Sequence, residues 1–162
     1  MVQFHNFGLL LVAAWMSVGL GLTGLEASEI TGKVVGVHDG DSLTLLTPDK
    51  TQIKVRLEGI DAPELKQPFG AASKKALSDL VFGKTVRLEE TGKDRYRRTL
   101  GNIFVGDVWV NLAMVERGMA WFFVKYSKEA TLESAEIKAR KMRLGLWGGK
   151  DQTAPWEWRK SK

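Results

Sequence analysis

Between Glu29 and Leu57 the chain alternates apolar and polar residues too regularly to be helix, and this constrains the fold more than any other feature. Ser42, Thr44 and Leu46 alternate with Leu43 and Leu45, and Ile53, Val55 and Leu57 alternate with Lys54 and Arg56. A period of two marks half-buried strands. EITGKVVGVHDGD reads as an earlier, glycine-rich strand running into a turn, and TPDKTQ links the second strand to the third. DAPELKQPFG, with two prolines, reads as a loop. AASKKALSDLVFGK predicts a helix with Ala72, Ala76 and Leu80 on one face and Gly83 as its stop. TVRLEE and RTLGNIFVGDVWV predict two more strands. NLAMVERGM predicts a short helix with Asn111 as N-cap and Gly118 as its stop. KEATLESAEIKARKMRLGLW predicts a longer helix with Leu132, Ala135, Ala139 and Met142 on one face, and GGKDQTAPWEWRKSK reads as a loop-like tail. The expected architecture is mainly β: a five-stranded OB-fold barrel capped by about three α-helices.

The first 28 residues have a different character. They hold no Lys or Arg and one acid, Glu26, and the run from Gly8 to Leu25 is apolar, Gly, Ser or Thr throughout. This suits the hydrophobic region of a secretory signal with a cut after Ala27, or a membrane anchor formed by residues 8–25. The expected organisation is therefore a signal peptide or anchor over 1–28, a barrel domain over 29–150 and a tail over 151–162. The expected location is secreted or periplasmic, or membrane-anchored with the domain outside. All 24 Lys and Arg and 18 of the 19 acids follow Ser28, so that part carries a net charge of +6, which suits a polyanionic partner. The chain has no cysteine, which excludes disulfides, thiolate metal sites and a lipid-modified cysteine.

The acids and arginines between 39 and 64 gather at predicted strand ends. If the second and third strands pair as a hairpin, Asp41 begins one where Asp61 follows the other. Two carboxylates with a nearby backbone carbonyl are hard oxygen ligands suited to Ca²⁺ or Mg²⁺. Equally, Asp41 and Asp61 could only cap turns, Glu64 could be solvated, and Arg56, out of phase with its apolar neighbours, could face water. The cluster Lys93, Arg95, Arg97 and Arg98 around Tyr96 reads either as a solvated basic loop or as phosphate-binding cations. Guanidinium groups contact phosphate oxygens bidentately and stay charged, which is what phosphodiester chemistry uses.

VHDGDSLTL, VRLEGIDAPE, DRYRRTLGNIF, VNLAMVERGMAW and RLGLW fall in order across roughly residues 30–147. Together they closely resemble the staphylococcal-nuclease-like (thermonuclease) family, and the PWEWRK ending looks like its exported bacterial members. The resemblance implies a Ca²⁺ site formed by the carboxylates of Asp41 and Asp61 and the backbone carbonyl of Ala62. The family reference has threonine at that last position, and a carbonyl ligand survives the change. It implies that Glu64 activates or orients the attacking water, and that Arg56 and Arg98 bind the phosphate and stabilise the transition state. Arg95, Tyr96 and Tyr126 fall on nucleotide-contacting positions. Two departures stand out. Arg97 replaces a glycine frequent in the family, and only Phe123 or Val124 falls near the remaining aromatic position.

The activity implied is Ca²⁺-dependent hydrolysis of DNA and RNA at the 5′ P–O bond, leaving 3′-phosphates. Single strands and frayed ends would be preferred, and the protein would act as a monomer. Two other readings are a non-catalytic nucleic-acid-binding module on the same barrel and a membrane-tethered protein-interaction domain. Retention of Asp41, Arg56, Asp61, Glu64 and Arg98 together favours the enzyme.

Overall fold

A computed structural model of the chain describes Met1, residues 29–150 and residues 152–161. The signal or anchor expectation for residues 8–25 lies outside the described residues. No described helix is long and apolar enough to cross a membrane.

The predicted strands form an antiparallel meander of β1 (Glu29–Val37), β2 (Ser42–Leu46) and β3 (Gln52–Leu57); burial alternates as expected along β3, whereas in β2 Ser42 and Thr44 are buried along with Leu43 and Leu45. β5 (Thr85–Lys93) pairs antiparallel with β1, and β6 (Thr99–Val105) with β5. β6 then returns to β3 in parallel, with Val55 opposite Thr99 and Leu57 opposite Gly101. This last pairing closes five strands into a barrel, so neither β3 nor β6 presents an open edge along that seam. Short β7 (Val108–Trp109) extends β6, while β4 (Ile60–Asp61) pairs with β8 (Trp121–Phe122) outside the barrel. Inward positions of each long strand carry Val34, Leu43, Leu45, Val55, Leu57, Val86, Leu88 and Ile103, all buried in one core.

Among the described residues four α-helices cover the barrel: α1 (Gly70–Val81), α2 (Val110–Glu116), α3 (Ala130–Lys141) and α4 (Pro155–Trp158). A 3-10 turn spans Gly145–Gly148. The expected fold class therefore holds, with one helix more than the sequence predicts. That helix lies in the tail, which is not loop-like: Ala154 is buried with Trp121 and Leu146.

Three details differ from the sequence expectations. α1 buries Gly70, Ser73, Leu77 and Val81, one residue round from the predicted Ala72, Ala76 and Leu80 row. Ala76 and Leu80 of the predicted row are partly buried and pack against the core, while the fully buried Ser73, Leu77 and Val81 lie at the centre of the helix's inward face. Ser73 tolerates burial because its Oγ donates to the Met119 carbonyl at 2.6 Å. Asn111 is no N-cap. It lies inside α2, fully buried, where its Oδ1 accepts from Ile103 N–H at 3.0 Å and its Nδ2 donates to the carbonyls of Glu58 (2.9 Å) and Gly101 (3.2 Å). It clips the helix to the barrel wall. In α3, Leu132, Ala135 and Ala139 are buried as predicted, but Met142 is an exposed C-cap.

Candidate active site

The turn before β2 sets the first functional side chain. Asp39 Oδ1 accepts from the Asp41 backbone N–H at 3.1 Å and from Ser42 Oγ at 2.7 Å, an Asx-type turn. Burial works against its ionisation, but these bonds hold the Asp39 carboxyl below its ordinary range. Gly40 does more than turn the chain. A Cβ there would stand 1.8 Å from Ser73 Oγ and 2.7 Å from Ala62 Cβ, so only glycine lets the turn lie against α1. His38, assigned no role from the sequence, pairs its Nε2 with Thr44 Oγ1 at 2.8 Å.

Asp41 leaves this turn buried. Its carbonyl accepts from Leu57 N–H at 2.8 Å, which fixes it beside the end of β3. Its Oδ2 accepts from the Ala62 N–H at 2.6 Å and lies 3.1 Å from Arg56 Nη2. Ser42 stands opposite Arg56 in the ladder, so the hairpin brings Asp41 to Arg56 as the sequence reading requires. Arg56 does not face water: its side chain is 12% exposed. Its Nη2 donates to Asp61 Oδ1 at 2.9 Å, and its Nη1 to the carbonyls of Leu57 (3.0 Å) and Ile60 (2.8 Å). One guanidinium nitrogen thus joins Asp41 to Asp61. Burial is the main reason the Asp41 carboxyl titrates well above the ordinary range. Arg56 opposes this, and the charges of Asp39 and Asp61 add to it.

Glu64 follows on the loop after β4. Its side chain is 39% exposed, and it lines an open cleft of about 330 Å³ together with Asp39, Lys66 and Arg159. Arg159, which the sequence reading passes over, reaches the site from just beyond α4. Its Nη2 donates to Asp61 Oδ2 at 2.7 Å, and its Nη1 to Asp61 Oδ1 at 3.2 Å and to Glu64 Oε1 at 2.8 Å. The hydrogen bond to Asp61, then that to Glu64, raise its pKa above the usual arginine range, while burial pulls the other way. No local pattern signals this contact; the only sequence cue is the family-like PWEWRK ending.

Among the described residues Arg98 pairs with Asp94 rather than with Asp41, Asp61 or Glu64. It lies one residue before Thr99, which pairs with Val55, and its Nε donates to Asp94 Oδ2 at 2.7 Å. The Arg98 guanidinium is 5.7 Å from the Tyr96 ring centroid and that of Arg95 is 4.9 Å from it. Arg97 is exposed with φ 64°, so arginine occupies a left-handed position at the family's frequent glycine. Tyr96 and Tyr126 are both exposed. Phe122 is core, whereas partly exposed Phe123 meets Tyr126 at 4.7 Å and stacks on Trp156 at 5.3 Å. The structure therefore joins Asp41, Arg56, Asp61 and Glu64 through guanidinium bridges, and sets Arg98, Arg95 and Tyr96 on the β5–β6 turn.

The donor chemistry suits a hard divalent cation. Asp41 and Asp61 each lie about 3 Å from the same guanidinium nitrogen, and Ala62 follows directly. Among the described residues no three His, Cys, Asp or Glu side chains group as a metal site; the residues that could hold an ion here are Asp41, Asp61 and, through its carbonyl, Ala62.

A basic, closed five-stranded barrel with carboxylates and arginines bridged at one end defines the class. Residues 54–149 match the family described as Staphylococcal nuclease homologue. The chain is 44% identical over 141 residues to an uncharacterized endonuclease of Haemophilus influenzae, covering 87% of this chain and 79% of the relative. It is 38% identical to a micrococcal nuclease of Shigella flexneri, covering 83% of each. It is 40% identical over 111 residues to the staphylococcal-like nuclease CAN1 of Arabidopsis thaliana, covering 68% of this chain and 34% of that one. The chain belongs to the staphylococcal-nuclease-like family.

Proposed function

We propose that this protein is a nuclease that hydrolyses phosphodiester bonds in DNA and RNA, with Ca²⁺ as its cofactor. The observation that carries the reading is the single Arg56 nitrogen shared by Asp41 and Asp61, with Glu64 joined to the same group through Arg159. Asp41, Asp61 and the Ala62 carbonyl would hold the ion. When bound, it supplies positive charge against the developing negative charge of the phosphate. Glu64, exposed to the cleft, orients the attacking water. Arg56 and Arg98 supply fixed cations for the phosphate. Both terminal nitrogens of Arg56 already hold protein acceptors, so its contribution is charge in place rather than a free fork. Arg95, exposed Tyr96 and exposed Tyr126 suit contact with a flexible nucleotide strand. The family resemblance supports cleavage at the 5′ P–O bond leaving 3′-phosphates. It also supports an exported domain, with residues 8–25 as signal or tether.

The test is incubation of the full chain with single-stranded DNA, in Ca²⁺ or in excess chelator. Hydrolysis should need Ca²⁺, and undiminished cutting in chelator rules out the metal site. Glu64→Gln should cut turnover by orders of magnitude in a folded protein, and normal turnover removes its assigned role.

A further inference from the structure

We infer that the C-terminal segment from Thr153 to Arg159 is part of the active site, with Arg159 as the positioning residue for Glu64. The inference rests on the nuclease reading above and deepens it. Among the described residues, Arg159 is the only ion-pair partner of the Glu64 carboxylate. A half-exposed carboxylate on a loop samples several rotamers, whereas one orienting water must hold a single direction. Arg159 ties that loop carboxylate to Asp61, which is fixed in β4 and 1% exposed. Its fork spans both acids, so it sets their separation and their angle together.

The segment's placement has independent anchors. Trp156 stacks on Phe123, with the rings 9° from parallel. Ala154 is buried against Trp121 and Leu146. Buried Gln67 joins loop and tail directly: its Oε1 accepts from the Glu64 N–H at 3.2 Å and its Nε2 donates to the Thr153 carbonyl at 2.6 Å. Phe69, at the end of the same loop, sits at φ 68° and packs against the tail cluster. A bulky residue there is strained, and its tail contacts help offset that cost. The loop carrying Glu64 is thus held to the tail by the Gln67 amide, which donates to the Thr153 carbonyl, and by the Glu64–Arg159 ion pair, with Phe69 packed on the cluster that includes Ala154. Since both terminal Arg159 nitrogens face carboxylates, the geometry assigns it orientation of Glu64 rather than contact with the phosphate.

The test is single-turnover and steady-state cleavage of single-stranded DNA in Ca²⁺ by full-length Arg159→Ala, Arg159→Lys, Glu64→Gln and Glu64→Gln/Arg159→Ala. Melting curves confirm that each variant folds. Arg159→Ala should lower kcat about 10–100-fold with KM little changed, the usual scale for losing an outer partner of a site carboxylate. Arg159→Lys should recover part of the loss. Added guanidinium ion, below denaturing concentration, should stimulate Arg159→Ala and not Glu64→Gln. The double variant should be no slower than Glu64→Gln alone. Parental kcat in Arg159→Ala overturns the inference while leaving the nuclease reading intact. A double variant slower by the product of the two single losses also overturns it, because Arg159 then acts independently of Glu64. If Glu64→Gln keeps parental turnover, or the parent cuts nothing, the assigned role of Glu64 fails and the inference fails with it.

Discussion

Replacing Gly40 with alanine tests whether the HDGD turn is a placement device rather than a generic hairpin tip. The new methyl would meet Ser73 Oγ at 1.8 Å, Ala62 Cβ at 2.7 Å and Ser73 Cβ at 2.8 Å. Ser73 is fully buried and its hydroxyl donates to the Met119 carbonyl, so rotating it away gives up that bond. Overpacking in a dense interior costs about 1–3 kcal/mol, and a lost buried hydrogen bond about 1–3 kcal/mol. Some backbone relaxation offsets both, so a net loss of about 2–4 kcal/mol is expected. For a domain of this size that lowers Tm by roughly 10 °C. Relaxation would move Asp41 and Ala62, the neighbours on either side of the clash, so activity should fall as well. Tryptophan-monitored melting and urea titration measure the stability. Adding Ser73→Gly removes both Ser73 clash atoms and should restore more than about 1 kcal/mol in a double-mutant cycle. A Gly40→Ala protein within about 0.5 kcal/mol of the parent, or the same loss with and without Ser73→Gly, refutes the close-approach argument.

Arg97→Gly relieves a left-handed arginine worth about 1 kcal/mol at φ 64°, less what glycine adds to the disorder of the unfolded chain. It should be neutral to stabilising by urea titration and should keep activity, whereas Arg98→Ala should abolish cleavage; the reverse pattern would mean the loop alignment is off by one. Asn111→Ala strips hydrogen bonds from Ile103, Glu58 and Gly101 in the buried interior and should cost about 2–4 kcal/mol by the same titration. Asp41 gives a pH signature in chelator. Burial raises its folded pKa above the ordinary 3.8, so the folded state binds that proton more tightly and stability falls as pH rises from 3.8 through the raised value. Asp39 and Asp94, both held low, act in the opposite direction, their stabilisation being lost as pH falls below 3.8. Asp41→Asn should therefore raise Tm in chelator near neutral pH, by a margin that shrinks towards pH 4, and a pH-independent change would count against the buried charge as cause.

The barrel is legible in the sequence because period two is a local signal, and β2 and β3 need only neighbouring residues to declare it. The meeting of Asp41, Arg56 and Asp61 follows from the same hairpin, since register is fixed once one face is buried. Arg159 is not legible in this way. Its partners lie 95 and 98 residues away, and ring packing and a glutamine amide rather than a periodic pattern bring the tail to them. Composition hid it too, since Gly, Pro and Lys around two tryptophans read as loop. The buried Ser73 at the centre of the α1 face and the inward Asn111 were hidden for another reason. A buried serine or asparagine is acceptable only when a distant carbonyl or N–H completes it, and sequence does not show where Met119 or Ile103 will be.

The charge balance at the site explains why it cannot be a product of stability alone. Asp39, Asp41, Asp61 and Glu64 surround Arg56 and Arg159, and Asp41 is held where burial and its acidic neighbours both oppose its charge. Replacing buried ionic groups with well-packed neutral ones is commonly neutral or stabilising. The chelator prediction for Asp41→Asn weighs that burial cost against the Arg56 ion pair and the Ala62 N–H bond that the carboxylate makes. The closed barrel offsets that cost through its buried core and its β3–β6 seam. Excess carboxylate oxygen on a rigid frame, beside fixed guanidinium groups, is what binding a hard cation next to a phosphodiester requires. The same imbalance that lowers stability is therefore the physical basis of the proposed chemistry.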